Sequence, residues 1–114
     1  MARLTLRIDF DGDRQIGPGK IRLLELIDTT GSISAAGRQM GMSYRRAWLL
    51  VDDLNRCFRE PLVAAQVGGV KGGGASLTVF GRGVVAHYRA IEKVAAAAGA
   101  DHVGALTASL AEPG

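Results

Sequence analysis

Residues 41–58 read GMSYRRAWLLVDDLNRCF. Ser43 is a helix cap by type, and Ala47, Leu50, Val51, Leu54 and Phe58 recur at helical spacing along one stripe. Arg45, Leu49, Asp52 and Arg56 collect on the opposite face. The stripe predicts a helix buried along one side, with its first turn, Tyr44-Arg45-Arg46, projecting into solvent. An aromatic ring and two guanidinium groups at an exposed helix start do little for a core. They suit contact with a polyanion.

The flanking segments decide what that helix belongs to. Upstream, SISAAGRQMG (32–41) reads as a short helix capped by Ser32, with Ile33, Ala36 and Met40 on its apolar side. Its small residues Ala35, Ala36 and Gly37 permit close approach of another helix, and Gly41 ends it. A short helix, a tight glycine turn and a longer helix make a helix-turn-helix. Before it, IGPGKIRLLELIDTTG predicts another helix. Pro18 suits the first helical position, Ile16 and Ile21 form a staple across the start, Ile21, Leu24 and Ile27 form the stripe, and Gly31 closes it. RLTLRIDF (3–10) alternates with period two, as a half-buried strand does, and DGDRQIG is turn chemistry.

Downstream of Pro61, LVAAQV (62–67) and ASLTVF (75–80) are β-capable runs around the glycine-rich GGVKGGG (68–74), which predicts a hairpin. Thr78 caps a final helix over 79–98, where Val84, Tyr88, Ile91, Ala95 and Ala98 repeat at 4-3-4-3 spacing, a seam expected to join two copies. The expected organisation is one domain over 1–98 and a loosely ordered tail over 99–114. The order strand, three helices, hairpin, helix is that of a winged helix-turn-helix, mainly α with a small β component. In that arrangement the third helix enters the DNA major groove and the hairpin wing touches the backbone. Ser43 can donate to a phosphate, Arg45 or Arg46 can meet guanine O6 and N7 with two parallel donors, and Tyr44 and Leu49 lie on the same exposed region. In the wing, Lys71 supplies charge while Gly72 and Gly73 leave the backbone bare for phosphates. The plainer reading, a three-helix packing module with solvated arginines, leaves the aromatic-Arg-Arg turn without a purpose.

The totals agree with a small DNA-binding domain. The chain has 114 residues, 47% apolar and 22% charged, with a net charge of +3. Residues 38–59 hold five arginines against two aspartates, and residues 61–93 hold four basic groups against Glu92. No apolar run spans a membrane, and the alternating amino terminus is not a signal peptide. The single Cys57 excludes an internal disulfide framework, and the expected location is the cytoplasm. The GGVKGGG tract is not a phosphate-binding loop, because glycine follows Lys71 and the tract joins two strands. No nucleophile-base pair, paired carboxylates or metal motif stands out, so neither enzymatic activity nor a cofactor is expected. His87 and His102 read as ordinary surface or interface residues, Cys57 as packing beside Phe58, and Trp48 as a packing residue at the core edge.

The run GSISAAGRQMGMSYRRAWLLVDDLN, followed by LV, the glycine tract and SLTVFG, resembles the amino-terminal DNA-binding domain of the ModE-type, molybdenum-responsive transcription regulators. The resemblance covers about residues 18–92. More distantly, the helix-turn-helix and the following LT-x-x-G look like LysR-type regulators. The resemblance implies a cytoplasmic, homodimeric regulator of transcription that binds a pseudo-palindromic double-stranded operator. It assigns DNA contact to Ser43, Tyr44, Arg45 and Arg46, and wing contact to the segment around Lys71. The chain departs from the family at Ala64 and Ala65, where a Glu-Arg pair is usual, and Lys71 stands one place later in the tract. Family members bind molybdate in carboxy-terminal domains that have no counterpart here, so no molybdate site is expected in this chain. The rival from another class is a protein-interaction module that uses the last helix and the basic face.

Overall fold

The amino terminus of the last helix fits only because residue 81 has no side chain. In the computed structural model, which describes residues 2–66 and 74–113, the elements run in the order β1 (Ile8–Asp11), β2 (Arg14–Ile16), α1 (Pro18–Thr30), α2 (Ile33–Gln39), α3 (Tyr44–Cys57), β3 (Val63–Gln66), β4 (Gly74–Leu77) and α4 (Val79–Ala108). The strands form two antiparallel hairpins, β1 with β2 and β3 with β4. In the second, Val63 faces Leu77 and Gln66 faces Gly74. Lys71, Gly72 and Gly73 lie outside the described residues.

Each helix starts where its local chemistry directs. Pro18 opens α1 after Gly17, and the Gly31 N–H donates to the Ile27 carbonyl at its end. The side-chain oxygens of Ser32, Ser43 and Thr78 accept from the backbone N–H three residues on, giving α2, α3 and α4 the cap that satisfies an orphan donor. Between α2 and α3, Gly41 has a φ of 70°, a left-handed conformation that an L side chain resists. The two helices then close tightly: a Cβ on Gly37 would stand 2.8 Å from the Ala47 Cβ.

Ile21, Leu23, Leu24 and Ile27 of α1, Ala36 of α2, Ala47, Val51 and Leu54 of α3, Leu62, and Val84 and Tyr88 of α4 form one buried cluster. Cys57 is also buried, which pushes its thiol above the ordinary range, partly offset by Lys20 and Arg14. Arg89 ties α4 to α1 by donating to both carboxylate oxygens of Glu25, at 3.1 and 2.7 Å, and to Glu92 at 2.6 Å.

Three expectations are corrected. The amino-terminal strand over 3–10 is a short hairpin instead: the regular strand begins at Ile8, and part of the expected turn, Arg14–Ile16, is its second strand. The last helix continues through Ala108, so residues 99–108 are helical and not a loose tail. Alanine dominates 94–108, and Gly99 and Gly104 each cost only about 1 kcal/mol in a helix, too little to end it. Val84 and Tyr88, expected in an intermolecular seam, are buried inside the protomer, with the Tyr88 hydroxyl donating to the Leu6 carbonyl at 2.6 Å. That half of the stripe packs on α1 and the amino-terminal segment. Ile91, Ala95 and Ala98 stay at least partly exposed.

At the start of α4, a Cβ on Gly81 would fall well inside van der Waals contact distance of the Leu62 carbonyl oxygen. Gly81→Ala is expected to lower unfolding stability by about 1–3 kcal/mol, the cost of overpacking a site that cannot yield. Urea titration of the two proteins checks this.

Candidate nucleic-acid interface

Helix α3 is buried through Ala47, Val51, Leu54 and Cys57, so its first turn has a fixed direction. Ser43, Tyr44, Arg45 and Arg46 are all exposed there, and Leu49 is exposed one turn on. All five sequence-predicted residues of this helix are thus exposed. The Ser43 Oγ accepts from the Arg46 N–H at 3.1 Å, which leaves its hydroxyl proton to point outward. Among the described residues, no ion pair or hydrogen bond engages either guanidinium group of Arg45 and Arg46.

Charge is distributed unevenly along this helix. Near its carboxyl end, Arg56 pairs with Asp52 at 2.9 Å and Asp53 at 3.4 Å, so charge there is internally offset. At the amino end no acidic residue occupies the first turn. The helix dipole already places roughly half a positive charge at that end, and each added cation costs about 0.3–1 kcal/mol there. Two arginines at such a position are unfavourable in the free protein. An approaching anion relieves that cost and gains bonds from the guanidinium groups, the Ser43 hydroxyl and the exposed N–H groups of the first turn.

Trp48, expected at the core edge, is 45% exposed and meets Tyr44 edge to face with centroids 6.1 Å apart. The pair lines an open groove of about 440 Å³ between α3 and the wing, together with Ser32, Ser34, Asn55 and Ala65. The spacing Tyr44, Trp48, Asn55 is helical, so a shared flank was available from the sequence. That this flank faces the wing was not. Ala65, where a longer side chain was usual in the resembling family, leaves the groove open at its β3 side. The described residues contain no group of three or more His, Cys, Asp or Glu side chains placed to hold a metal ion.

A helix-turn-helix whose second helix exposes its first turn, followed by a two-stranded wing, is a winged helix-turn-helix. No family model matches the chain. It is 44% identical over 92 residues to the molybdenum transport protein ModE of Azotobacter vinelandii, covering 81% of this chain and 33% of that protein. Identity to the molybdenum-pterin-binding protein MopB of Rhodobacter capsulatus is 46% over 78 residues, 68% of this chain and 29% of that protein. Identity to the DNA-binding transcriptional dual regulator ModE of Escherichia coli K12 is 35% over 77 residues, 68% of this chain and 29% of that protein. The chain spans about a third of the length of these relatives. The matched stretch is a ModE-type amino-terminal region.

Because the Ser43 side chain caps the helix that carries the arginines, Ser43→Ala is expected to lower stability by ~1 kcal/mol, and Ser43→Gly by only a few tenths. Equilibrium unfolding monitored by circular dichroism would separate them. No loss in either variant would mean that the cap bond contributes nothing.

Proposed function

We propose that the chain is a sequence-specific, double-stranded DNA-binding regulator of transcription, with α3 as its recognition helix. One observation carries the reading: among the described residues, Arg45 and Arg46 stand without counter-ions in the first turn of a helix whose dipole disfavours them. In a major groove, one of them donates in parallel to guanine O6 and N7, and the other reaches a phosphate. Ser43 donates to a phosphate, while Tyr44 and Leu49 supply apolar contact. Lys71, with Gly72 and Gly73, is assigned to backbone contact from the wing. The printed name of the Escherichia coli relative, a DNA-binding transcriptional dual regulator, supports the same reading.

The Arg45→Ala, Arg46→Ala double variant is expected to keep its fold and lose specific binding. One good bidentate base contact is worth ~1–3 kcal/mol of discrimination. Selection from random duplex DNA supplies the preferred site, and titration of that site against scrambled duplex reads the discrimination. A double variant that still prefers the selected site would sink the assignment of α3.

The active form in this reading is a homodimer. Phe10, Val79, His87, Ile91 and Val94 leave a continuous, largely apolar strip exposed along α4 and the β1–β2 hairpin. Ala95 and Ala98, further along α4, extend the strip expected to meet a second copy. Two-fold pairing there sets two recognition helices about 34 Å apart or a multiple of it, which demands a pseudo-palindromic operator. The same strip also favours the rival, a surface for a different partner protein. Ile91→Asp decides between them: in the dimer reading it yields monomers by sedimentation and weakens operator binding far more than nonspecific binding. An unmutated protein that sediments as a monomer at micromolar concentration and binds a single half-site at full strength would overturn the dimer.

A further inference from the structure

We propose that Asn55 is a positioning residue that sets the wing against the recognition helix. The inference rests on the reading of α3 and the wing as one DNA-contacting surface. After α3 the chain reverses through residues 58–61 and enters β3 at Val63. The Asn55 Oδ1 accepts from the Leu62 N–H at 2.8 Å and from the Val63 N–H at 3.1 Å. Its Nδ2 donates to the Val63 carbonyl at 3.3 Å. Val63 pairs with Leu77 of β4, and among the described residues the hairpin has no third strand. Asn55 therefore gives Val63 the acceptor and the donor that another strand would have supplied, but supplies them from the recognition helix.

Only a primary amide of this length does this. Alanine leaves two N–H donors and a carbonyl without partners. Aspartate keeps the two acceptor bonds, loses the donor and sets a carboxylate oxygen against the Val63 carbonyl. The other side of the wing root is held as well: the Leu62 carbonyl accepts from the Thr78 N–H at 2.9 Å, and Thr78 caps α4. From this root the ladder extends over the four residues Val63 to Gln66, or about 10 Å at strand rise. A tilt of roughly 20° at the root moves its far end by about 3 Å, enough to break a hydrogen bond to a phosphate. Release of Asn55 thus acts on wing contacts with DNA and leaves the first turn of α3, nine and ten residues before it, in place.

The test combines a DNA-independent readout with a coupled one. In Asn55→Ala, amide hydrogen exchange is expected to quicken roughly tenfold or more at Leu62 and Val63 while Val51 and Leu54 keep their protection. Asn55→Asp, which keeps both acceptor bonds, is expected to restore most of the slow exchange. Unchanged exchange at Leu62 and Val63 in Asn55→Ala would overturn the clamp, and so would equal loss of protection throughout α3 in both variants. On the selected duplex, Asn55→Ala is expected to flatten the salt dependence of binding by about one counterion, as Lys71→Ala does, and the double variant to add nothing further. Preference at the bases read by Arg45 and Arg46 is expected to stay as in the unmutated protein. Additive losses, or an altered base preference with an unchanged salt slope, would refute the positioning role. Unmutated protein that shows no specific DNA binding would instead remove the proposed function, and the exchange rates would still decide the clamp.

Discussion

The backbone of Leu62 is the point on which three elements converge. Its side chain is fully buried, its N–H donates to Asn55 of α3, and its carbonyl accepts from Thr78 at the start of α4. The Thr78 hydroxyl donates to the neighbouring Pro61 carbonyl at 2.8 Å and accepts from the Gly81 N–H at 2.9 Å. Any side chain larger than hydrogen at residue 81 drives α4 away from that carbonyl. A buried peptide group that loses its partners costs about 1–3 kcal/mol, so this corner is satisfied on all sides or not at all. The angle between α3, the β3–β4 hairpin and α4 follows from it.

With that corner set, α3 has only one freedom, the identity of its exposed residues. Burial of Ala47, Val51 and Leu54 orients the helix, and the Ser43 cap keeps its first turn wound. Charge then separates along it: the far end carries the Arg56 pairs with Asp52 and Asp53, and the near end carries two arginines that pair with no carboxylate among the described residues. The surface ion pairs contribute little to stability, at most about 1 kcal/mol each. Their larger effect is to confine the positive field to the end of the helix that projects.

Helix α4 uses its two ends differently. Through Val84 and Tyr88 it completes the core, and Arg89 fastens it to Glu25 on α1. Beyond Glu92 it continues without that support to Ala108, an alanine-rich stretch with few charges. A 30-residue helix is about 45 Å long, so much of it extends past the body, whose longest dimension with the helix included is 55 Å. A helix of this composition gains by covering its apolar side, and Ile91 and Val94 leave part of that side exposed.

Local chemistry written in the sequence determined where helices begin, which sides they bury and which residues are left at the start of α3. Caps, proline at a first turn, positive-φ glycines and helical periodicity act over three or four residues, and so Pro18, Ser32, Gly41, Ser43 and Thr78 could be placed without knowledge of the fold. The amino-terminal hairpin escaped because Arg14–Ile16 has strand character only when Ile8–Asp11 is there to pair with it. The α4 stripe was ambiguous for a related reason: apolar residues at 4-3 spacing say that a face is covered, not by what. Only the tertiary structure assigned Val84 and Tyr88 to the protomer's own core and left Ile91 outside it. Likewise Asn55 and Trp48 took their meaning from the position of β3, residues away in sequence and brought close by the corner at Leu62. Periodicity is a property of one helix, whereas the partner of its face is a property of how all the elements pack.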